Sequence, residues 1–156
     1  MTGRAEAATL PIPAGGAWRA RLPWIDAFAG LLVGLIVIAF VKPLSRFYSL
    51  PLQVLTFTAA ANLGYSVLGF GVAGLPSRAS SARRALLGVL VVANCTWALI
   101  CIGLAVRFGS AASPFGLAHF LGEASFVVTL AALEWRHRAA ILAAPGLVVR
   151  ARRRPV

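Results

Sequence analysis

Read for its apolar and polar positions, the chain divides into four long apolar blocks separated by short stretches rich in Arg, Pro, Gly and Ser. The first runs from about Trp24 to Val41, in WIDAFAGLLVGLIVIAFV, where Lys42 and the helix breaker Pro43 are expected to end it. The second begins at Pro51 and continues to Gly74, with Pro76 just beyond. The third spans about Leu86 to Val106, between the basic stretch PSRASSARR and the turn-rich FGSAASP. The fourth starts near Phe115, after Ser113 and Pro114 supply a cap and a first-turn proline, and ends at Trp135 before the cluster RHR. The third block, 21 residues long, is enough as a helix to cross ~30 Å of hydrocarbon at ~1.5 Å per residue. The prediction is an all-α integral membrane protein, a four-transmembrane-helix bundle. It occupies residues 24–135, between a flexible leader (1–23) and a basic tail (136–156).

Composition supports that class. Of 156 residues, 60% are hydrophobic and 12% charged, and the mean hydropathy of +0.85 excludes an ordinary water-soluble domain. Span one exceeds the usual signal-peptide core and no A-x-A site follows it, so a retained helix is expected. The apolar segment 139–149 is too short to cross, is interrupted by Pro145 and Gly146, and should lie on the membrane surface or be disordered.

The formal charge is +11, yet the basic residues lie between or beyond the apolar blocks rather than in a stripe, which argues against nucleic acid. Twelve fall in the leader, the middle loop and the tail, against Lys42, Arg46 and Arg107 in the other two loops. The positive-inside rule therefore puts both termini in the cytoplasm, where the arginines would meet anionic head groups. All cations except Lys42 are Arg, a skew that with heavy Ala use points to a GC-rich bacterial genome.

The functional argument starts from polar residues inside the spans. At ~1.5 Å per residue, Asn62 lies about 16 Å from its span's start, and Asn94 and Glu123 each about 12 Å. Three spans thus bring their strongest polar groups near one level. His119 and Glu123 share a helical face, as do Asn62, Tyr65 and Ser66. The expected cluster is Asn62, Tyr65, Ser66, Asn94, His119 and Glu123. Read structurally, its Asn and Thr side chains glue the bundle by interhelical hydrogen bonds. Read functionally, Glu123 and His119 are an acid-base pair, since an ionisable group at that depth commonly marks a site. Asp26 and Glu134 sit close enough to span ends to serve as interfacial anchors, Glu134 reaching Arg138 at i+4.

Gly30 with Gly34, and Ala60 with Gly64, have the four-residue spacing that lets helices approach closely, within the bundle or between copies. Cys95 and Cys101 lie about 240° apart around one helix and read as packing residues. Metalloprotease, serine-hydrolase, Walker and haem-attachment motifs are all absent from the sequence. No metal or resident cofactor is expected, although a bound lipid or quinone would suit the cluster.

The strings ANCTWALICIGLAVRFG and SPFGLAHFLGEASFVVTLAALEWRHR resemble a group of small bacterial four-span inner-membrane proteins, through Phe115-Gly116, His119, Gly122-Glu123, Phe126 and Glu134-Trp135. The resemblance implies fold and inner-membrane location and brings no activity. In size and layout the chain also looks like the DoxX-type four-helix proteins. Two functions fit these readings. One is a non-enzymatic accessory subunit or small transport or permeation unit, alone, as a homo-oligomer or in a larger membrane complex. The other is an intramembrane enzyme or cofactor binder acting on a lipid, quinone or isoprenoid through Glu123 and His119.

Overall fold

Four helices in the computed structural model, which describes residues 18–76 and 80–144, are long and apolar enough to cross a membrane. After a 3-10 turn at Arg19–Arg21 come α1 (Leu22–Ala39), α2 (Val41–Tyr48), α3 (Leu52–Gly74), α4 (Ser80–Phe108), α5 (Pro114–Arg136) and α6 (Arg138–Ala143). The described residues contain no strand. Outward side chains are large and apolar, with Leu99 70% and Val106 80% exposed, the surface expected of a bundle solvated by hydrocarbon.

Four features depart from the sequence reading. Lys42 and Pro43 do not terminate the chain's helical course. Phe40 breaks the ladder (φ −113°, ψ 24°) and α2 follows at once, with Pro43 in its first turn, where a backbone N–H lacks a helical partner anyway. The third span, α4, begins at Ser80, so Arg83 and Arg84 are helical rather than in a loop. Residues 18–23, assigned to the leader, form the 3-10 turn and the first turn of α1, while 1–17 lie outside the described residues. Finally, residues 138–143 of the tail form α6, whose Ile141 is fully buried with Leu22, Val72, Leu87, Leu90 and Leu130. Residues 145–156 lie outside the described residues.

Packing is uneven around the bundle. α1 lies along α3 and α4 along α5, α3 joins the two pairs through α4, and α1 meets α5 only sparsely. The α1/α3 seam is built from small residues. A Cβ on Gly30 would come 2.9 Å from the Asn62 carbonyl, and one on Gly34 2.8 Å from the Leu63 side chain. A Cβ on Gly69 would come 2.9 Å from Ala27. Buried positions on α3 thus recur as Ala59, Asn62, Ser66, Gly69 and Ala73, a three- and four-residue alternation. Ala60 and Gly64 are exposed on another face, and a Cβ on Gly64 would meet nothing within 4 Å, so that pair makes no seam inside this chain.

α2 caps the end of the bundle remote from the termini. Ser49, in the left-handed region (φ 54°), turns the chain from α2 toward α3, and the Ser45 hydroxyl donates to the Leu50 carbonyl at 2.6 Å. The Ser113 N–H donates to the Tyr48 carbonyl at 2.8 Å and its hydroxyl to that of Phe47 at 2.9 Å. Gly116 makes this approach possible, because a Cβ there would stand 2.7 Å from the Tyr48 carbonyl.

Candidate functional site: an acid and amide cavity open between two helices

The bundle interior carries two acid and amide pairs, and each crosses between the helix pairs. Asn94 of α4 donates through Nδ2 to Asp26 Oδ2 of α1 at 2.9 Å. Asn62 of α3 donates through Nδ2 to Glu123 Oε1 of α5 and also to the Thr58 carbonyl at 3.1 Å. Because the helices run α1, α3, α4, α5 around the bundle, both bonds lie on its diagonals. Such interhelical bonds are worth about 0.6–2 kcal/mol each in lipid.

Glu123 is the best supported of these groups. Trp97 Nε1 donates to the same Oε1 at 2.9 Å, so two donors hold one oxygen and leave Oε2 facing His119 Nε2 at 3.5 Å. His119 is stacked on Tyr48, with ring centroids 5.3 Å apart and planes 23° apart, which places the α2 cap directly over the pair. Glu123 Oε2, His119 Nε2 and Asn94 Oδ1 are buried with no hydrogen-bond partner among the described residues.

The residues that carry these atoms line a cavity of about 410 Å³. Asp26, Asn62, Asn94, His119 and Glu123 all contribute to its wall. Its outer margin is formed by Leu32 on α1 and by Ala118, Gly122 and Phe126 on α5, all exposed, so the cavity opens sideways where α1 and α5 fail to close. That size suits a small organic molecule.

Of the six residues grouped from the sequence, Asn62, Tyr65, Asn94, His119 and Glu123 line the cavity. Ser66 does not; it packs in the α1/α3 seam and donates to the Leu63 carbonyl at 2.7 Å. The expected interhelical Thr bonds are also replaced. Thr56, Thr58, Thr96 and Thr129 each donate to the carbonyl four residues earlier, because a short hydroxyl on a helix reaches its own preceding turn first.

Asp26 and Glu134 are not interfacial anchors. Asp26 is 4% exposed and belongs to the cavity, while Glu134 is fully buried with neither oxygen partnered among the described residues. The Arg138 guanidinium instead donates to the Trp135 carbonyl at 3.0 Å and lies 4.6 Å from the Trp135 ring centre. Trp97 was missed. Its signal was weak but present: it lies one helical turn after Asn94 and carries an N–H that needs a partner when buried. Arg83 was missed as well, being buried and donating to the Val72 and Ala144 carbonyls at 3.0 and 2.6 Å, which pins α6 to the bundle.

Outside the spans, His137 sits edge-on to Trp18 at 5.3 Å. Burial there, with the nearby Arg19 and Arg136 guanidiniums, holds its imidazole below the usual histidine range. Cys95 is exposed and Cys101 buried. Comparison with protein-family models, curated proteins and solved structures finds no match to this chain.

Proposed function

We propose that the chain is a small, non-enzymatic protein of a bacterial inner membrane that takes up a lipid-soluble molecule through the α1/α5 opening and holds its polar group against Glu123, His119 and Asn94. The observation that carries this reading is that three side chains lining a laterally open cavity, Glu123, His119 and Asn94, each keep a buried polar atom without a partner among the described residues. Groups serving only as glue would close on one another, since an unsatisfied polar atom in lipid costs about 1–3 kcal/mol. A site of this kind suits a small transport unit or the ligand-holding subunit of a larger complex.

Orientation forms part of the proposal. Setting aside buried Arg83, eleven cations still flank the end holding both termini against three at the other, favouring cytoplasmic termini whose arginines meet anionic lipid.

The 3.5 Å approach of His119 to Glu123 favours a second reading, acid-base chemistry on a lipid, quinone or isoprenoid. Mass spectrometry of organic extracts from purified protein tests the first. One bound species per chain is expected, lost on Gly122→Leu, which adds bulk where a Cβ meets nothing within 4 Å and so should spare the fold. Extracts without such a species, or unchanged by Gly122→Leu, would overturn the binding reading. Chemical conversion of the released species by wild type but not by Glu123→Gln would favour the enzyme.

A further inference from the structure

Granting that the cavity is a binding site, its wall says which molecules it takes. Two carboxyl side chains, Asp26 and Glu123, line it together with Asn62 and Asn94, and among the described residues neither Lys nor Arg does, although the whole chain carries +11. Among the described residues His119 is the single basic side chain there, one imidazole against two carboxyls. Both amide hydrogens of Asn62 are committed, to Glu123 and to the Thr58 carbonyl, and one of Asn94 is given to Asp26. The polar atoms of these wall residues left without a partner among the described residues are two acceptors, Glu123 Oε2 and Asn94 Oδ1, and one imidazole nitrogen, His119 Nε2. The rest of the wall is apolar or aromatic, including Tyr65 and Phe126, whose ring faces attract a cation stripped of water.

We infer that the ligand is a lipophilic cation, an amine or quaternary onium group on an apolar body, rather than a neutral quinone or an anionic lipid phosphate. The carboxyl oxygens and aromatic faces supply its charge complement, the apolar margin between α1 and α5 accepts its body, and the bilayer delivers it.

The test uses two ions of nearly the same shape and opposite charge, tetraphenylphosphonium and tetraphenylborate, in equilibrium dialysis against the full chain in nanodiscs, with a decyl-substituted benzoquinone as the neutral probe. Phosphonium should bind saturably at one per chain and at least about tenfold more tightly than borate or quinone. Glu123→Gln and Asp26→Asn should each weaken it about tenfold, and Gly122→Leu should abolish saturable binding. Both isosteric variants keep the oxygen that accepts from Trp97 or Asn94, and thermal melting confirms that each is folded; if one is not, the other carries the comparison. Borate or quinone binding as tightly as phosphonium, sensitive to Gly122→Leu, would overturn the cation assignment while leaving a binding cavity in place. Phosphonium binding unchanged in both carboxyl variants would overturn it equally. If none of the three probes saturates, the binding reading falls together with the cation.

Discussion

Glu123 illustrates how a single buried side chain can be read by exchange. Gln keeps the oxygen that accepts from Asn62 and Trp97, so Glu123→Gln should melt close to wild type in detergent. Glu123→Leu strands both donors and should lower stability by about 1–3 kcal/mol. Glu134 should behave in the opposite sense. With no partner for either oxygen among the described residues, Glu134→Met should raise the melting temperature, because an apolar side chain of similar size removes a desolvation cost without breaking a bond. A lower melting temperature would show that its carboxyl is bonded after all. The His119 and Glu123 pair was legible in the sequence, since i+4 spacing and depth follow from helix geometry alone. Asp26 was not. Its nearness to the span end suggested water, but what buries it is its azimuth, one residue before Ala27 and four before Gly30 on the face turned into the bundle.

At the level of elements, the two small-residue pairs should separate cleanly. Gly30→Ala pushes a methyl against the Asn62 backbone carbonyl, which has no flexible end to yield, and should destabilise by about 1–3 kcal/mol. Gly64→Ala points into open space and should be neutral or slightly stabilising through helix propensity. Equal melting of the two variants would contradict the seam. Four-residue spacing marked both pairs, but spacing cannot say which helical face meets a neighbour; only the packed partner decides that. The short helices escaped for a different reason. α2 is eight residues long, and although Val41, Leu44 and Tyr48 fall at helical spacing, Lys42, Pro43 and Arg46 read as the end of the first span; α6 forms because Arg83 and the buried Ile141 tie it down. The contact between the 3-10 turn and α6 also carries a pH dependence. His137 has a folded-state pKa below its usual value of 6.5, so the folded chain binds fewer protons than the unfolded one. Stability is therefore full above about pH 7 and declines as pH falls through that value toward the depressed one. Melting at about pH 8 and about pH 5 should reveal the loss, and His137→Gln should remove it.

At the scale of the whole molecule, the presence of four helices long and apolar enough to cross followed from hydropathy, because the bilayer demands about twenty apolar residues per crossing. The lateral opening did not, since apolar helices look alike whether they face lipid or one another. A reporter joined after Val156 should read as cytoplasmic and one inserted at Ser110 as external; the reverse pattern would overturn the proposed orientation. The two diagonal bonds also bear on how the chain is made. Neighbours in sequence, α1 with α3 and α4 with α5, can enter the bilayer as separate hairpins, each carrying one acid and one amide directed at the other hairpin. Until they dock, each of the four polar groups lacks its partner on the other hairpin, Asn62 keeping its bond to the Thr58 carbonyl and Glu123 the bond from Trp97. Assembly is thus self-proofreading: an orphaned half is held back by its own exposed polarity and becomes a long-lived species only when its complement arrives, so halves divided within residues 77–79 and co-expressed should rescue one another, whereas either half alone should be degraded.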